Sequence, residues 1–130
     1  MTNQPVSNAC CPPIDSFQKI GFTVPGYACD SHAHVFGPYD KFPLADERSY
    51  TPPENGVERF IRHLNRLGFQ RGVLVTASTC GTDNRSVLNA LEKYPDRLRA
   101  VAVCDERANA ATLQSLRSAG VSGLRFICTD

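Results

Sequence analysis

Four short apolar runs alternate with three amphipathic stripes along this chain, and that alternation limits the possible folds more than any other feature. The predicted strands cover residues 27–34, 71–76, 99–104 and 123–128. Continuous apolar runs such as Val73-Leu74-Val75 are typical of strands that are buried on both faces. Strands separated by helices pair as parallel neighbours through right-handed crossovers. The pattern therefore predicts an α/β fold, either a doubly wound open sheet or a (β/α)8 barrel.

Each amphipathic stripe has sequence signals for its ends. The first helix carries apolar residues at helical spacing, namely Val57, Phe60, Ile61, Leu64 and Leu67. Thr51-Pro52-Pro53-Glu54 resembles a capping box and predicts its start, and Gly68 predicts its end. Asp83 is predicted to cap the second helix and Pro95 to stop it. Asn109 and Gly120 are predicted to bound the third.

The chain divides into two parts in this interpretation. Residues 1–25 carry four prolines and little periodicity, which predicts an irregular N-terminal arm. Residues 26–130 hold the parallel β-α repeat, but four strands are only half of a barrel. We therefore expect residues 26–130 to be the N-terminal half of a truncated TIM-type (β/α)8 barrel. The alternative is a small open four-stranded sheet that is complete in itself.

Composition removes several classes of function. The formal net charge is +1 and the basic residues are scattered, so neither nucleic acid nor an anionic membrane is an expected partner. No apolar stretch approaches the ~18 residues of a membrane span, and the N-terminus lacks the features of a signal peptide. We expect a cytoplasmic protein, and its oligomeric state stays open. There is no glycine-rich phosphate loop and no Gly-x-Ser-x-Gly motif.

The motif Asp30-Ser31-His32-Ala33-His34 is the strongest candidate for chemistry. In a regular strand, His32 and His34 point to the same face. Two imidazoles at a strand end can share a divalent metal ion or position a substrate carbonyl. The alternative is that each is an ordinary polar residue beside the core. The spacing favours the functional interpretation, since ligands bind at the carboxyl ends of parallel strands in both architectures.

The segment Cys29-Asp30-Ser31-His32-Ala33-His34-Val35-Phe36-Gly37 resembles the opening strand of the amidohydrolase superfamily, in its amidohydrolase-related branch. Three further segments sharpen the resemblance: residues 49–52, 78–84 and 120–126. Together they resemble the 2-pyrone-4,6-dicarboxylate lactonases and related lactone hydrolases. The resemblance covers most of the chain from Tyr27 onward.

This resemblance implies a barrel enzyme that opens a carboxylated lactone, a small anionic substrate. By position, His32 and His34 would be catalytic, and the substrate contacts would be Tyr50, Ser78 and Arg125. An arginine suits such a substrate because its guanidinium binds a carboxylate through two hydrogen bonds. The family places another His and the Asp that serves as general base on later strands, beyond residue 130. Residues 1–130 alone are therefore expected to be inactive.

Cofactor use follows from the same resemblance. The lactonase branch implies no required metal, whereas metal-dependent members would use His32 and His34 as ligands of a divalent ion such as Zn or Mn, completed by later residues. Two other functions stay open. One is a metal-dependent hydrolase or decarboxylase of the same superfamily, and the other is a non-catalytic fragment or binding module.

Overall fold

The computed structural model describes residues 8–16 and 18–128. These described residues form two sheets and three α-helices. In chain order the elements are β1 (Asn8–Ala9), β2 (Cys29–Ala33), β3 (Tyr50–Thr51), α1 (Val57–Leu67), β4 (Arg71–Val75), a short 3-10 helix (Ser78–Cys80), α2 (Arg85–Lys93), β5 (Leu98–Val103), α3 (Ala110–Ser118) and β6 (Val121–Arg125).

The main sheet has four strands, all parallel, in the order β2-β4-β5-β6. Each strand is added at the same edge as the one before, joined by one helix. A doubly wound sheet reverses its strand order at a switch point, and this sheet has no reversal among its four strands. Right-handed crossovers that always advance in one direction leave every helix on one face. This is the arrangement of a TIM-type barrel, so the predicted fold class is confirmed.

The core lies between the helices and one face of the sheet. Leu64 of α1, Leu74 of β4 and Leu98 of β5 are fully buried there, together with Leu91 of α2. Gly72 permits a close approach, since a Cβ at that position would lie 2.7 Å from Cε1 of Phe60. The core thus fixes which face of each strand is turned toward the helices and which is left for other contacts.

The first helix begins later than predicted. Helix α1 starts at Val57 with Gly56 as its N-cap, and the capping box predicted at Thr51 is wrong. Thr51 lies instead in β3, and its Oγ1 accepts a hydrogen bond from Nε of Arg48 at 3.1 Å. Glu54 accepts the backbone N–H of Tyr39 at 2.7 Å. Thr51 therefore bonds to an arginine three residues before it, and Glu54 bonds to the backbone of a distant residue, so neither side chain caps α1.

Other boundaries also differ from the sequence analysis. The N-cap of α2 is Asn84 rather than Asp83, whereas Asn109 caps α3 as predicted, by accepting from the N–H of Thr112. Strand β6 covers Val121–Arg125, whereas the predicted strand covers residues 123–128. The strand therefore begins two residues earlier and ends three residues earlier than predicted. The Cα of Val121 pairs with Ala100 of β5, which draws the start of the strand toward the helix.

Residues before β2 form contacts with two elements. Strand β1 pairs in parallel with β3, with Asn8 opposite Tyr50, and the remaining described residues up to position 25 form no helix or strand. The carbonyl of Pro13 accepts from Arg59 of α1 at 3.0 Å. Within the described part of the chain, no helix has the length and apolar character needed to cross a membrane.

Candidate active site

The two histidines lie side by side at the carboxyl end of β2. Their ring centroids are 5.1 Å apart and the ring planes are perpendicular. His32 is exposed, whereas His34 is half-buried. Strand β2 ends at Ala33, so His34 is the first residue beyond it rather than the last residue within it. The predicted pair is adjacent in space, but its setting is not the regular strand that the sequence suggested.

A bulge in β2 decides which face the histidines occupy. Asp30 pairs with Gly72 and Ala33 pairs with Leu74, so three steps along β2 match two steps along β4. Gly72 and Leu74 face the helices, and their partners Asp30 and Ala33 do the same. His32 and His34 flank Ala33 and therefore occupy the opposite face. Without the bulge, the carboxylate of Asp30 would share the face of the imidazoles.

The ring of His34 is held by a backbone carbonyl. Its Nδ1 lies 2.7 Å from the carbonyl oxygen of Val75, the last residue of β4. A carbonyl oxygen only accepts, so Nδ1 carries the proton and donates. The lone pair of neutral His34 therefore lies on Nε2, on the other side of the ring. This nitrogen can accept a proton or a hydrogen bond, and after protonation it can donate one to a substrate oxygen.

Arg125 reaches the neighbouring carbonyl. Its Nη1 makes a long hydrogen bond of 3.4 Å to the carbonyl oxygen of Thr76. The Cα of Arg125 pairs with Val103, two residues beyond Val101, which pairs with Val75. Val75, Val101 and Val103 alternate along their strands with Leu74, Ala100 and Ala102, which face the helices. Arg125 pairs with Val103 and therefore lies on the face opposite the helices, the same face as His34. Two consecutive carbonyls thus link the imidazole and the guanidinium at one edge of the sheet.

Ser78 opens the 3-10 helix that follows β4. It lines a cleft of about 360 Å³ together with Thr79, Cys104 and Asp105. The cleft lies at the carboxyl ends of β4 and β5, the edge at which ligands bind in barrels. Thr79 is 1% exposed, and its Oγ1 is one of two buried side-chain polar atoms without a hydrogen-bond partner in the described part of the chain.

Tyr50 occupies a different setting, in the two-stranded sheet. It follows a loop that is fixed at several points. The backbone N–H of Phe36 and the carbonyl of Asn55 are joined at 2.9 Å, and the phenol of Tyr39 donates to the carbonyl of Pro52 at 2.6 Å. Burial raises the pKa of Tyr39 to about 12. The backbone N–H of Ala45 donates to Thr79, which ties this loop to the cleft of Ser78.

Two aspartates at this edge are bound to arginines. Hydrogen bonds from the Arg85 guanidinium hold the pKa of Asp83 below its ordinary value, and Arg107 does the same to Asp105. The closest distances are 2.6 Å for Asp83–Arg85 and 2.5 Å for Asp105–Arg107. A carboxylate with a lowered pKa is a weak proton acceptor near neutral pH. Both carboxylates are engaged by an arginine in the folded protein.

The sequence analysis missed Asn84 as a site residue. Its amide bonds to Thr76 and to Val103, and so joins the ends of β4 and β5. The position falls within residues 78–84, one of the segments that carry the family resemblance, and the sequence gives its side chain no role of its own. An asparagine just before a helix suggests a cap, and no local signal shows that its side chain turns toward the sheet instead.

The metal interpretation was tested against the ligands that are present. Over residues 8–16 and 18–128, no group of three or more His, Cys, Asp or Glu side chains is placed to hold a metal ion. His32 and His34 supply two imidazoles, and the carboxylate of Asp30 accepts the backbone N–H of His32 at 3.3 Å. Zn²⁺ in proteins takes three or four protein ligands. The described residues therefore do not complete a site for Zn or Mn.

Comparison with known proteins gives a consistent family. Residues 29–129 match the amidohydrolase family. The chain is 41% identical over 108 residues to a 2-pyrone-4,6-dicarboxylate hydrolase of Comamonas testosteroni, covering 83% of this chain and 35% of that protein. It is 37% identical over 117 residues to a 4-sulfomuconolactone hydrolase of Rhizobium radiobacter, covering 90% of this chain and 39% of that protein.

Solved structures agree with these relatives. One structure from Acinetobacter baumannii is described as a probable 2-pyrone-4,6-dicarboxylic acid hydrolase with citric acid bound. It matches with a TM-score of 0.71 and 36% identity over 75% of this chain and 36% of that one. The chain thus spans somewhat more than a third of the length of the relatives that it matches.

Proposed function

This chain belongs to the amidohydrolase family, and we propose that the protein containing it is a lactone hydrolase that acts on a carboxylated lactone. The relatives named above support this proposal, since they are hydrolases of 2-pyrone-4,6-dicarboxylate and of 4-sulfomuconolactone. Both names describe a lactone that carries an anionic group. We therefore propose an anionic lactone, with 2-pyrone-4,6-dicarboxylate as the first candidate.

One observation carries the proposal: Nδ1 of His34 contacts the carbonyl of Val75, and Nη1 of Arg125 makes a long contact to the carbonyl of the next residue, Thr76. A guanidinium suits the carboxylate of such a substrate, and the free Nε2 of His34 suits its reacting carbonyl or the attacking water. His32 lies beside His34 and extends the polar surface. The edge therefore offers one group for binding and one for chemistry.

The reaction adds water across the acyl bond of the lactone. The oxygen of water attacks the ring carbonyl, and the bond between the acyl carbon and the ring oxygen breaks. One proton of water passes to the released oxygen, and the other is lost from the new carboxyl group as it ionises. A protonated Nε2 of His34 would stabilise the negative charge that develops on the carbonyl oxygen. Arg125 would hold the carboxylate so that the carbonyl faces the imidazole. Tyr50 and Ser78 are proposed as further substrate contacts.

The general base is proposed to lie on a part of the enzyme other than the described residues. Asp83 and Asp105 are the carboxylates that follow β4 and β5, and both are engaged by arginines that lower their pKa. Metal use is a separate question, because His32 and His34 would need further ligands from elsewhere. We propose a reaction in which these two imidazoles act directly, so activity should persist after dialysis against a chelator.

The function is tested by following the ultraviolet absorbance of 2-pyrone-4,6-dicarboxylate with the purified natural protein, before and after chelation. Loss of the pyrone with formation of the ring-opened acid is the expected result. A protein that leaves this lactone and 4-sulfomuconolactone intact would contradict the proposal. Activity that chelation abolishes and Zn or Mn restores would instead favour a metal-dependent hydrolase of the same superfamily.

Two variants test the role of His34. In His34→Asn the amide can still donate to Val75, as Nδ1 does, but nothing replaces Nε2. In His34→Gln the amide extends toward the position of Nε2 and loses the anchor. We expect His34→Asn to fold normally and to lose roughly 10²- to 10⁴-fold in kcat, the range for a group that transfers or donates a proton. Unchanged turnover in His34→Asn would remove His34 from the reaction.

A further inference from the structure

We infer that Asn84 is a positioning residue that aligns Arg125 and His34. Its amide bonds to the backbone of β5 at Val103, beyond the point where β4 ends. Its effect on catalysis rests on the function proposed above, whereas its effect on the alignment of His34 does not. The side-chain amide of Asn84 makes four hydrogen bonds. None of them belongs to the capping of α2.

Asn84 occupies the N-cap of α2, but its side chain makes no capping hydrogen bond. The first backbone N–H of the helix is instead bonded by the preceding residue, since Oδ1 of Asp83 accepts the N–H of Arg85 at 3.0 Å. The amide of Asn84 is therefore available for contacts outside the helix. This differs from the usual use of asparagine at an N-cap, where the side-chain oxygen accepts from the helix backbone.

The amide pairs with Val103 as a neighbouring strand would. Oδ1 accepts the N–H of Val103 at 2.9 Å, and Nδ2 donates to its carbonyl at 2.8 Å. Strand β4 ends at Val75 and the N–H of Thr76 donates to Val101, whereas β5 continues to Val103. The polar groups of Val101 and Val103 point to the same side. Asn84 thus supplies hydrogen-bond partners for the backbone N–H and carbonyl of Val103, in the part of β5 that extends beyond β4.

The same amide also fixes the end of β4. The hydroxyl of Thr76 donates to Oδ1 of Asn84 at 2.7 Å, and Thr76 is 1% exposed. Nδ2 makes a fourth contact, to the carbonyl of Thr82 at 3.3 Å. Each of these bonds uses the amide in the same orientation, with oxygen accepting and nitrogen donating. Three of the four bonds are half-buried, and a shift of the amide would weaken several of them at once.

Both segments that Asn84 holds also hold Arg125. The Cα of Arg125 pairs with Val103, and its carbonyl accepts the N–H of Cys104 at 3.0 Å. Its guanidinium reaches the carbonyl of Thr76. The residue before Thr76 is Val75, whose carbonyl anchors His34. Asn84 therefore bonds directly to Val103 and Thr76, the two residues that Arg125 contacts. Thr76 is in turn bonded along the chain to Val75, the residue that contacts His34.

Removing the amide would leave the polar groups of Val103 and the hydroxyl of Thr76 without these partners. Such groups recover hydrogen bonds by moving or by admitting water. A movement of about 1 Å in catalytic groups can cost on the order of 100-fold in rate. For Asn84→Ala we expect kcat/KM to fall between roughly 10- and 100-fold, with KM and kcat both affected.

The chain offers a matched control in Asn109. It is the N-cap of the following helix, and its Oδ1 accepts the N–H of Thr112 at 2.9 Å, so its bonds stay within α3. In the natural protein, Asn109→Ala should lower stability and leave kcat/KM at the wild-type value.

A second pair of variants isolates one bond, in case Asn84→Ala folds poorly. Thr76→Val removes the hydroxyl and should lose activity, and Thr76→Ser keeps it and should lose less.

The decisive measurement uses the ring nitrogens of His34. Their ¹⁵N NMR shifts report which nitrogen carries the proton, and the wild type should show protonated Nδ1 in the neutral ring. Asn84→Ala should mix the two tautomers, and Asn109→Ala should not. Unchanged His34 signals and a kcat/KM equal to that of Asn109→Ala would overturn the inference and make Asn84 a structural residue only. A wild type without lactone turnover refutes the proposed function alone, because the NMR comparison still decides the role of Asn84.

Discussion

At the scale of single residues, backbone carbonyls orient the side chains of the candidate site. Val75 accepts from His34 and Thr76 accepts from Arg125. A carbonyl only accepts, so each contact decides which nitrogen is committed and which stays available for a ligand. For His34 the available atom is Nε2. For Arg125 a single Nη1 contact leaves the other guanidinium nitrogens to bind a carboxylate.

Substitution of Arg125 tests the binding half of this arrangement. Arg125→Ala should lower kcat/KM for an anionic lactone roughly ten- to hundredfold, since a hydrogen bond to a charged group is worth about 1.5–3 kcal/mol. Steady-state kinetics with the natural protein measure it. For a neutral lactone without carboxylates, Arg125→Ala should lower kcat/KM much less.

Arg107 is the matched control for this experiment. Its guanidinium binds Asp105 and its side chain is 80% exposed. Arg107→Ala should therefore leave kcat/KM close to the wild-type value. An Arg125→Ala enzyme that treats both lactones alike, or that matches Arg107→Ala, would show that Arg125 has a structural role.

At the scale of elements, the contact between α1 and β4 depends on the absence of a side chain. A Cβ at Gly72 would lie 2.7 Å from Cε1 and 2.8 Å from Cζ of Phe60, and Phe60 is itself buried. Cδ1 of Leu64, which is also buried, would lie 3.3 Å from the same added Cβ. The helix is therefore seated on the strand at a distance that only glycine permits.

Gly72→Ala should lower the free energy of unfolding by about 1–3 kcal/mol, the usual cost of overpacking a core. Gly26→Ala is the control, because no atom lies within 4 Å of the Cβ it would add. Urea unfolding of both variants measures the difference. Equal stability of the two would show that α1 can withdraw from β4 at no cost.

The start of α2 should respond to acid through Asp83. Its pKa in the folded protein lies below the ordinary value of 3.8, because Arg85 donates to the ionised carboxylate. A lowered folded pKa stabilises the fold above the unfolded pKa of about 3.9, and this contribution is lost as the pH falls through the folded value. Arg85 is 61% exposed, so solvent screens the pair and keeps this contribution small.

The test compares the unfolding free energy of the wild type and Asp83→Asn between pH 7 and pH 2. The wild type should be the more stable protein at pH 7, and the difference should shrink in acid below about pH 4. A difference that stays constant over the whole range would show that charge on Asp83 contributes nothing to the start of the helix.

At the scale of the whole molecule, the four-stranded sheet has two edges. Strands β2 and β6 each pair on one side only within the described residues. Apolar side chains are exposed at or just beyond the β6 edge, with Leu124 41% and Phe126 60% exposed. Closed barrels have no such edges, and an open apolar edge favours association with another chain.

A polypeptide of only these 130 residues should therefore self-associate and should not hydrolyse the lactone. Light scattering over a range of concentrations, together with the pyrone assay, measures both properties. Leu124→Lys should reduce the association, since charge on an edge strand opposes pairing. A monomeric segment with the turnover of the natural protein would contradict the placement of the general base outside the described residues.

The alternation of buried strands and amphipathic helices is visible in the sequence because it depends on neighbouring residues. Burial on both faces produces continuous apolar runs such as residues 73–75, and helices show their own periodicity. The closeness of His32 and His34 is also local, since two positions along an extended chain keep side chains adjacent. The fold class and the strand end that carries the histidines could thus be predicted.

The tertiary structure decided the faces of the strands, the start of α1 and the partners of Asn84. A bulge in β2 and a register shift in β6 each displace the alternation by one residue, and one residue exchanges the two faces. Thr51 could have capped a helix, but it pairs with Ala9 of a distant segment. The side chain of Asn84 could have capped α2, but it bonds to Val103 instead. Thr51 and Asn84 each have a possible local use, but contacts with residues distant in the sequence decide where they lie, and no local pattern records those contacts.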